Sequence, residues 1–220
     1  VHMSRGLGDV YKRQDLPDNE VKAVIPDTNG NMWVGTENGG LAKFDGTNWT
    51  VFDTLNTIIP NNHIRCLAQG NNGNIYIGTY DGLVIYDGIN FTLFNTDNTP
   101  TLPSNTIKKI ISDTNGNIWI ATDAGLVKYN TVEWLVFTAE NSDLPVSNIH
   151  NVIDASGNIL IATSQGLAKF NGTDVTGWTF FTANNSDLYE NSIVGLVKLN
   201  TGNIWVCLLY TSPSPRDMWT

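Results

Sequence analysis

Cysteine is almost missing from these 220 residues: there are two, Cys66 and Cys207. A disulfide framework is therefore excluded as the basis of the fold. Histidine is scarce, with three residues, and the sequence offers no Ser/His/Asp set, metal-ligand cluster or phosphate-cradling glycine loop. Catalytic residues, metal ligands and cofactor sites are accordingly not assigned. Basic residues are outnumbered, twelve Lys and Arg against twenty-one Asp and Glu, for a formal net charge of −9. That balance argues against a nucleic-acid partner, which needs a basic footprint. It favours a self-repelling, soluble surface. No apolar run is long enough to span a membrane, so membrane attachment is expected only through flanking segments outside this chain.

What the chain has in quantity is glycine, twenty residues, much of it in one recurring phrase. Gly-Asn-(Ile/Met)-(Trp/Tyr/Leu)-(Ile/Val) begins at Gly30, Gly73, Gly116, Gly157 and Gly202, in steps of 43, 43, 41 and 45 residues. Four copies continue through Gly/Ala-Thr and Gly-Leu to an aromatic residue at Phe44, Tyr86, Tyr129 and Phe170. A period near 43 built from short strands and Gly/Asn turns is the signature of a β-propeller. The expected fold is all-β: a partial β-propeller of about four and a half four-stranded blades.

The third copy shows how one blade is written. Residues 107–111, β-branched and apolar-rich, read as strand A. Asn115-Gly116 reads as a two-residue hairpin with a type I′ turn. Residues 118–122 form strand B, 126–129 strand C and 134–137 strand D, with a polar loop from Thr138 to Asn148 crossing to the next blade. Blades stack on both faces, so the repeated aromatics are expected mostly in the core. On strand B these are Trp33, Tyr76, Trp119 and Trp205; on strand C, Phe44, Tyr86, Tyr129 and Phe170; on strand D, Trp49, Phe91, Trp134 and Trp178. Cys66 occupies an apolar slot and reads as a buried thiol.

Both ends depart from the repeat. Asp9-Val-Tyr-Lys-Arg-Gln14 and Cys207-Leu-Leu-Tyr-Thr-Ser212 resemble the two translated strands of one sequencing-adapter end. Residues 1–14 and 207–220 are therefore read as non-native and excluded from fold reasoning. The propeller is assigned to 15–206, with blades at approximately 15–56, 57–99, 100–142, 143–186 and a partial one at 187–206. It is expected to be an internal piece of a longer gene, with two raw edges prone to aggregation.

The phrase Gly-Asn-Ile-Trp-Ile-Gly/Ala-Thr-x-x-Gly-Leu-x-x-Phe/Tyr resembles the two-component-regulator propeller repeat. All four full copies carry it, with Leu160 replacing the usual aromatic in the fourth. The resemblance implies a bacterial, periplasmic or extracellular location. It also implies non-catalytic recognition, in a sensor input region, of an oligosaccharide or other small ligand, with any histidine kinase downstream. Other proteins with such repeats are secreted or surface-anchored and lack a kinase. Thr-rich phrases such as Trp49-Thr-Val-Phe52 favour that alternative. Propeller lyases share the period and stand third. The sequence does not set the oligomeric state.

Candidate ligand-binding residues fall in two columns. Just after the first apolar residue of strand A stand Lys22, Arg65, Lys108, His150 and then Val194. Strand A is normally innermost, so these cationic or titratable groups are placed to focus an anionic ligand such as an acidic sugar. The turns between strands B and C, which share a rim with the loops between blades, carry Glu37, Tyr80, Asp81, Asp123 and Gln165. Loops on a rigid scaffold are where binding residues gather. Two other patterns have plainer readings. Asp27-x-Asn-Gly-Asn31 places its glycine too early for a calcium loop and reads as a hairpin turn. Lys43, Ile85, Lys128 and Lys169 on strand C read as a solvated face.

Overall fold

The computed structural model describes residues 16–171 and 176–209. The segment up to residue 15, and the one from 210 onward, lie outside the described residues, and with them most of the adapter-like sequence. Among the described residues there is no helix. Eighteen strands form five antiparallel sheets, four of them four-stranded and one two-stranded. The first sheet holds β1 (Val21–Pro26), β2 (Met32–Thr36), β3 (Leu41–Phe44) and β4 (Trp49–Phe52). The second holds β5 (Cys66–Gln69), β6 (Ile75–Gly78), β7 (Leu83–Tyr86) and β8 (Phe91–Phe94). The third holds β9 (Ile107–Ser112), β10 (Ile118–Thr122), β11 (Leu126–Tyr129) and β12 (Trp134–Phe137). The fourth holds β13 (Ile149–Ala155), β14 (Asn158–Thr163), β15 (Gly166–Phe170) and β16 (Trp178–Phe181). The last pairs β17 (Ile193–Lys198) with β18 (Ile204–Leu208). In every sheet each strand pairs with the next in sequence, as in a propeller blade.

The chain divides into two compact units. One runs to Pro100 and takes in Asn105–Ile110; the other comprises Thr101–Ser104 and the residues from Ile111 onward. The core of the first gathers Trp33, Leu41, Ile64, Leu67, Ile77 and Val84, with Phe52, Tyr86 and Phe91 packed against them. The second has two clusters. Trp119, Leu126, Phe137, Ile161 and Phe170 centre the larger; Leu160, Ala162, Ile193 and Leu196 form the smaller.

Strand limits in the third copy fall where sequence places them, apart from Ser112, which extends β9. The turn type differs. The Gly30 N–H donates to the Asp27 carbonyl (3.1 Å), and within this turn Gly30 alone has positive φ, 85°. That is a type I turn closed by a left-handed glycine, not type I′. The physical reason is the Asp27 side chain. It accepts the backbone N–H groups of Asn29 and Asn31 (both 2.9 Å) and so holds a wider turn. Asp113 repeats the arrangement with Asn115 and Asn117. The fourth copy does adopt the two-residue form. Ser156 (58°) and Gly157 (90°) both have positive φ between the paired Ala155 and Asn158.

The aromatics also divide more finely than periodicity suggests. Trp33, Tyr76, Trp119 and Phe170 are buried, while Phe44, Tyr86, Tyr129, Trp49, Phe91, Trp134 and Trp178 are half-buried. Trp205 is the exception at 68 % exposed. Its strand, β18, has no neighbour beyond β17 among the described residues. Lys43 and Lys128 do not simply face solvent: their ammonium groups lie 5.4 Å and 5.6 Å from the rings of Trp33 and Trp119. The charge over the indole face adds a cation–π attraction to the cover that the lysine stem provides.

One threonine per full blade, at the end of strand B, is fully buried: Thr36, Thr79, Thr122 and Thr163. Each hydroxyl donates to a glycine carbonyl across the following turn, at Gly40, Gly82, Gly125 and Gly166 (2.7–2.8 Å). Each also accepts a backbone N–H from within that turn, from Gly39, Asp81, Ala124 and Gln165. Replacing Thr79 by Val keeps the shape and strands both groups without water. The expected loss is about 1–3 kcal/mol of unfolding free energy, to be read from denaturant melts. Cys66 is buried, and that burial pushes its thiol pKa up to about 12, whereas Cys207 is exposed. A thiolate is the reactive form. Under native conditions a thiol reagent should label Cys207 and reach Cys66 only on unfolding, as peptide mapping of the labelled protein would show.

Candidate functional site

In the first unit the two sequence columns meet. Lys22, the second residue of β1, holds its ammonium 2.5 Å from Glu37 Oε2 and 3.7 Å from Glu20. Glu37 is set by the turn after β2, where its N–H donates to the Glu20 carbonyl (2.9 Å). Its other oxygen, Oε1, lies 3.1 Å from His63 Nδ1. The His63 ring meets Tyr80 edge-on, centroids 4.6 Å apart. The Arg65 guanidinium lies over the Tyr80 ring at 4.5 Å. Asp81, beside Tyr80, accepts from the Asn61 side chain (2.8 Å). A continuous chain of contacts thus runs from Lys22 through Glu37, His63 and Tyr80 to Arg65.

The backbone explains why these groups converge. The Thr36 carbonyl accepts the Ile64 N–H (2.9 Å), and the Gly78 carbonyl accepts that of Arg65 (2.8 Å). The turn after β2 is thereby tied to the approach to β5, and that approach to the end of β6. His63 and Arg65, two residues apart, both reach the Tyr80 ring.

Charge at this site is more balanced than the sequence column implies. Lys22 is committed to Glu37, whose Oε2 is out of water and has no well-formed hydrogen bond. The ammonium compensates it by charge. Arg65 pairs with no carboxylate among the described residues. His63 is held below the usual imidazole pKa, chiefly by burial, then by Arg65 and Lys22, against the opposing pull of Glu20. The nearby Glu37 carboxylate would favour the cation, but Lys22 already neutralises it. We therefore assign a neutral ring whose Nδ1–H donates to Glu37, leaving Nε2 as an acceptor. Together these groups offer guanidinium donors, an imidazole acceptor, a phenol and a carboxylate within one patch, and Tyr80 is 44 % exposed.

Lys108, second in β9, is half-buried. In the second unit His150 Nδ1 stands 2.8 Å from the Ile193 carbonyl, so it carries the proton and ties strand to strand. Asp123 and Gln165 are exposed turn residues, the latter fixed through its backbone N–H to Thr163. His63 and Glu20 were missed by sequence reasoning. The available signal was alternation: both stand two residues before a column cation.

The Asp27 turn leaves no room for a cation. Its carboxylate already accepts the N–H groups of Asn29 and Asn31, the Asn31 amide (2.7 Å) and Trp33 Nε1 (2.9 Å). Burial pushes the Asp27 pKa up, but these donors together outweigh it and lower the pKa overall. Among the described residues no group of three or more His, Cys, Asp or Glu is arranged to hold a metal.

Residues 15–38, 58–81 and 101–124 match the two component regulator propeller family. Each matched stretch ends in the turn between strands B and C. No curated protein matches the chain. Among solved structures it is similar to the extracellular domain of a protein from B. thetaiotaomicron described as a hybrid two component system. That match has 27 % identity and a TM-score of 0.74, covering 84 % of this chain and 26 % of that one. The extracellular domain of a one component system from the same organism matches at 24 % identity and TM-score 0.68, over 86 % of this chain and 26 % of the other. Virginiamycin B lyase from Staphylococcus aureus shares the fold at 13 % identity and TM-score 0.63, over 85 % of this chain and 62 % of the lyase. The chain spans about a quarter of the length of the first two.

The depressed pKa of His63 has a stability consequence. The unfolded chain binds a proton at about pH 6.5 while the folded one resists it. Stability is therefore full above that pH and falls as pH drops through it. Denaturant midpoints at pH 5 and 7.5 should differ in this sense, and His63→Gln should shrink the difference.

Proposed function

We propose that this chain, which carries two component regulator propeller repeats, belongs to the extracytoplasmic sensor region of a bacterial two-component system. We further propose that it binds an oligosaccharide or other small polar ligand without catalysis. The observation that carries this reading is the likeness to an extracellular domain described as part of a hybrid two component system. The ligand is assigned to the patch of Lys22, Glu37, His63, Arg65 and Tyr80. Arg65 supplies charge-assisted donors suited to the carboxylate of an acidic sugar. His63 Nε2 and Asp81 supply acceptors for hydroxyl groups. Lys22 acts mainly by holding Glu37, and through it the His63 ring. Lys108 adds positive charge on the same strand position.

Calorimetric titration with acidic and neutral oligosaccharides tests the assignment. Arg65→Gln and Tyr80→Ala should each weaken acidic-oligosaccharide binding about tenfold, which corresponds to about 1.4 kcal/mol, with thermal midpoints near that of the parent. Unchanged affinity when Lys22, Arg65 and Lys108 are all replaced by Gln would remove the patch as the binding site.

A further inference from the structure

His63 is the member of the first unit's patch whose ordinary pKa lies near neutrality, so its charge is the one that mild acid changes. The two ring nitrogens stand in different positions. Nδ1 lies 3.1 Å from Glu37 Oε1. That contact suits both charge states, because Nδ1 carries a proton in each. Nε2 has no hydrogen-bond partner among the described residues, and the side chain is 19 % exposed. A proton taken up by the ring therefore arrives at Nε2 and leaves the bond to Glu37 intact. It turns an acceptor into a donor and adds one positive charge.

The charged and titratable groups around the ring come from four segments. Glu20 and Lys22 stand at the start of β1, and Glu37 in the turn after β2. Arg65 follows His63 by two residues, and Tyr80 and Asp81 lie in the turn after β6. Lys108 holds the matching position of β9. Lys22 answers Glu37 and, at 3.7 Å, Glu20. Asp81 accepts from Asn61, whose Oδ1 in turn accepts the His63 backbone N–H (2.7 Å). His63 and Arg65 meet on one ring: the imidazole centre is 4.6 Å and the guanidinium carbon 4.5 Å from the centre of Tyr80. In the empty patch a second cation beside Arg65 is opposed. Burial first, then Arg65 and Lys22, hold His63 below the usual imidazole range, against the pull of Glu20. An anion resting on Arg65 offsets the guanidinium charge and offers Nε2–H an acceptor, so each of the two, anion and proton, favours the other.

We propose that the patch is a proton-coupled anion site: an acidic ligand seated against Arg65 and Tyr80 brings a proton onto His63 Nε2, and is held more tightly as pH falls. This coupling rests on the assignment of the ligand to the patch and narrows the ligand class. Acidic oligosaccharides are selected over neutral ones, and most strongly in mild acid. The sign follows from proton counts. The liganded protein holds more protons than the free one across the imidazole range, so affinity is greatest below that range and is lost as pH rises through it. The ligand's own carboxylate stays ionised at about pH 5, above the ordinary carboxyl range. A neutral sugar hydroxyl can donate to the uncharged Nε2 or accept from the charged one, and so gains little from the proton.

Two measurements on the full chain test this. In the first, calorimetry compares an oligogalacturonate with its carboxyl-reduced, neutral counterpart, each in two buffers of different ionisation enthalpy. The acidic probe should bind at least about fivefold more tightly at about pH 5 than at about pH 7.5, with buffer-dependent heat that reports proton uptake. The neutral probe should change by less than about twofold over the same interval. His63→Gln should still bind the acidic probe but lose the pH dependence and the proton uptake. In the second, the His63 ring C–H resonance is followed against pH with and without inorganic sulfate at constant ionic strength. Sulfate should move the His63 midpoint upward in the parent and leave it in place in Arg65→Gln. An unmoved midpoint in the parent overturns the proposal. So does equal binding of the acidic probe at both pH values. So does full pH dependence in His63→Gln, which would assign the proton to Glu20, Glu37 or Asp81. A moved midpoint with neither oligosaccharide bound at any pH upholds the coupling and removes the oligosaccharide reading instead.

Discussion

The buried threonine that ends strand B is the constraint on which each blade depends. A hydroxyl with no access to water must both donate and accept within reach, and here both partners lie in the turn it precedes. The turn is thereby closed at a fixed width, and strand C starts from a fixed point. In the first unit the same residues also act outward. The backbone carbonyls of Thr36 and Thr79 receive the N–H groups of Ile64 and Ile107, the first apolar residues of the following strand A segments. One side chain thus sets the geometry within a blade, and its backbone sets the start of the next. Gly35 and Gly78, immediately before these threonines, leave room for that approach. A Cβ on either would stand 2.6–2.7 Å from the Ile64 or Ile107 side chain.

Much of this architecture is legible in the sequence because it is repeated. Strand order and limits follow from apolar periodicity and glycine turns, and in the third copy they differ from the structure by a single residue, Ser112. What periodicity does not carry is side-chain competition. Asn-Gly alone argues for a type I′ turn, but the Asp27 and Asp113 carboxylates capture two backbone N–H groups each and open the turn by one residue. Trp205 reads as core because its position is core elsewhere. Its burial depends on a neighbouring strand that no local pattern guarantees.

The candidate patch is legible only in part, for a related reason. Lys22, Arg65, Glu37 and Tyr80 are visible as columns, since they depart from a repeated frame. Their contacts with one another are not, because these require a turn of one blade and the approach to the next to share a few ångströms. His63 completes the chain between Glu37 and Tyr80. It escapes a column search because its equivalents in the other copies are Glu20, Thr106, Asn148 and Ser192, which share no single chemistry.

The tie between Asp and Trp across the first turn of the first and third blades bears on how such repeats diverge. Trp33 and Trp119 give their buried indole N–H to Asp27 and Asp113. In the second blade both partners differ together: Gly70 stands for the aspartate and Tyr76 for the tryptophan, and the phenol finds Asn72 instead. An indole placed at 76 over Gly70 would bury a donor with no acceptor, and an aspartate at 70 beneath Tyr76 would lose its indole partner. Blades of similar sequence are therefore not freely exchangeable parts. Shuffling or consensus averaging among the first three blades should move these two positions together.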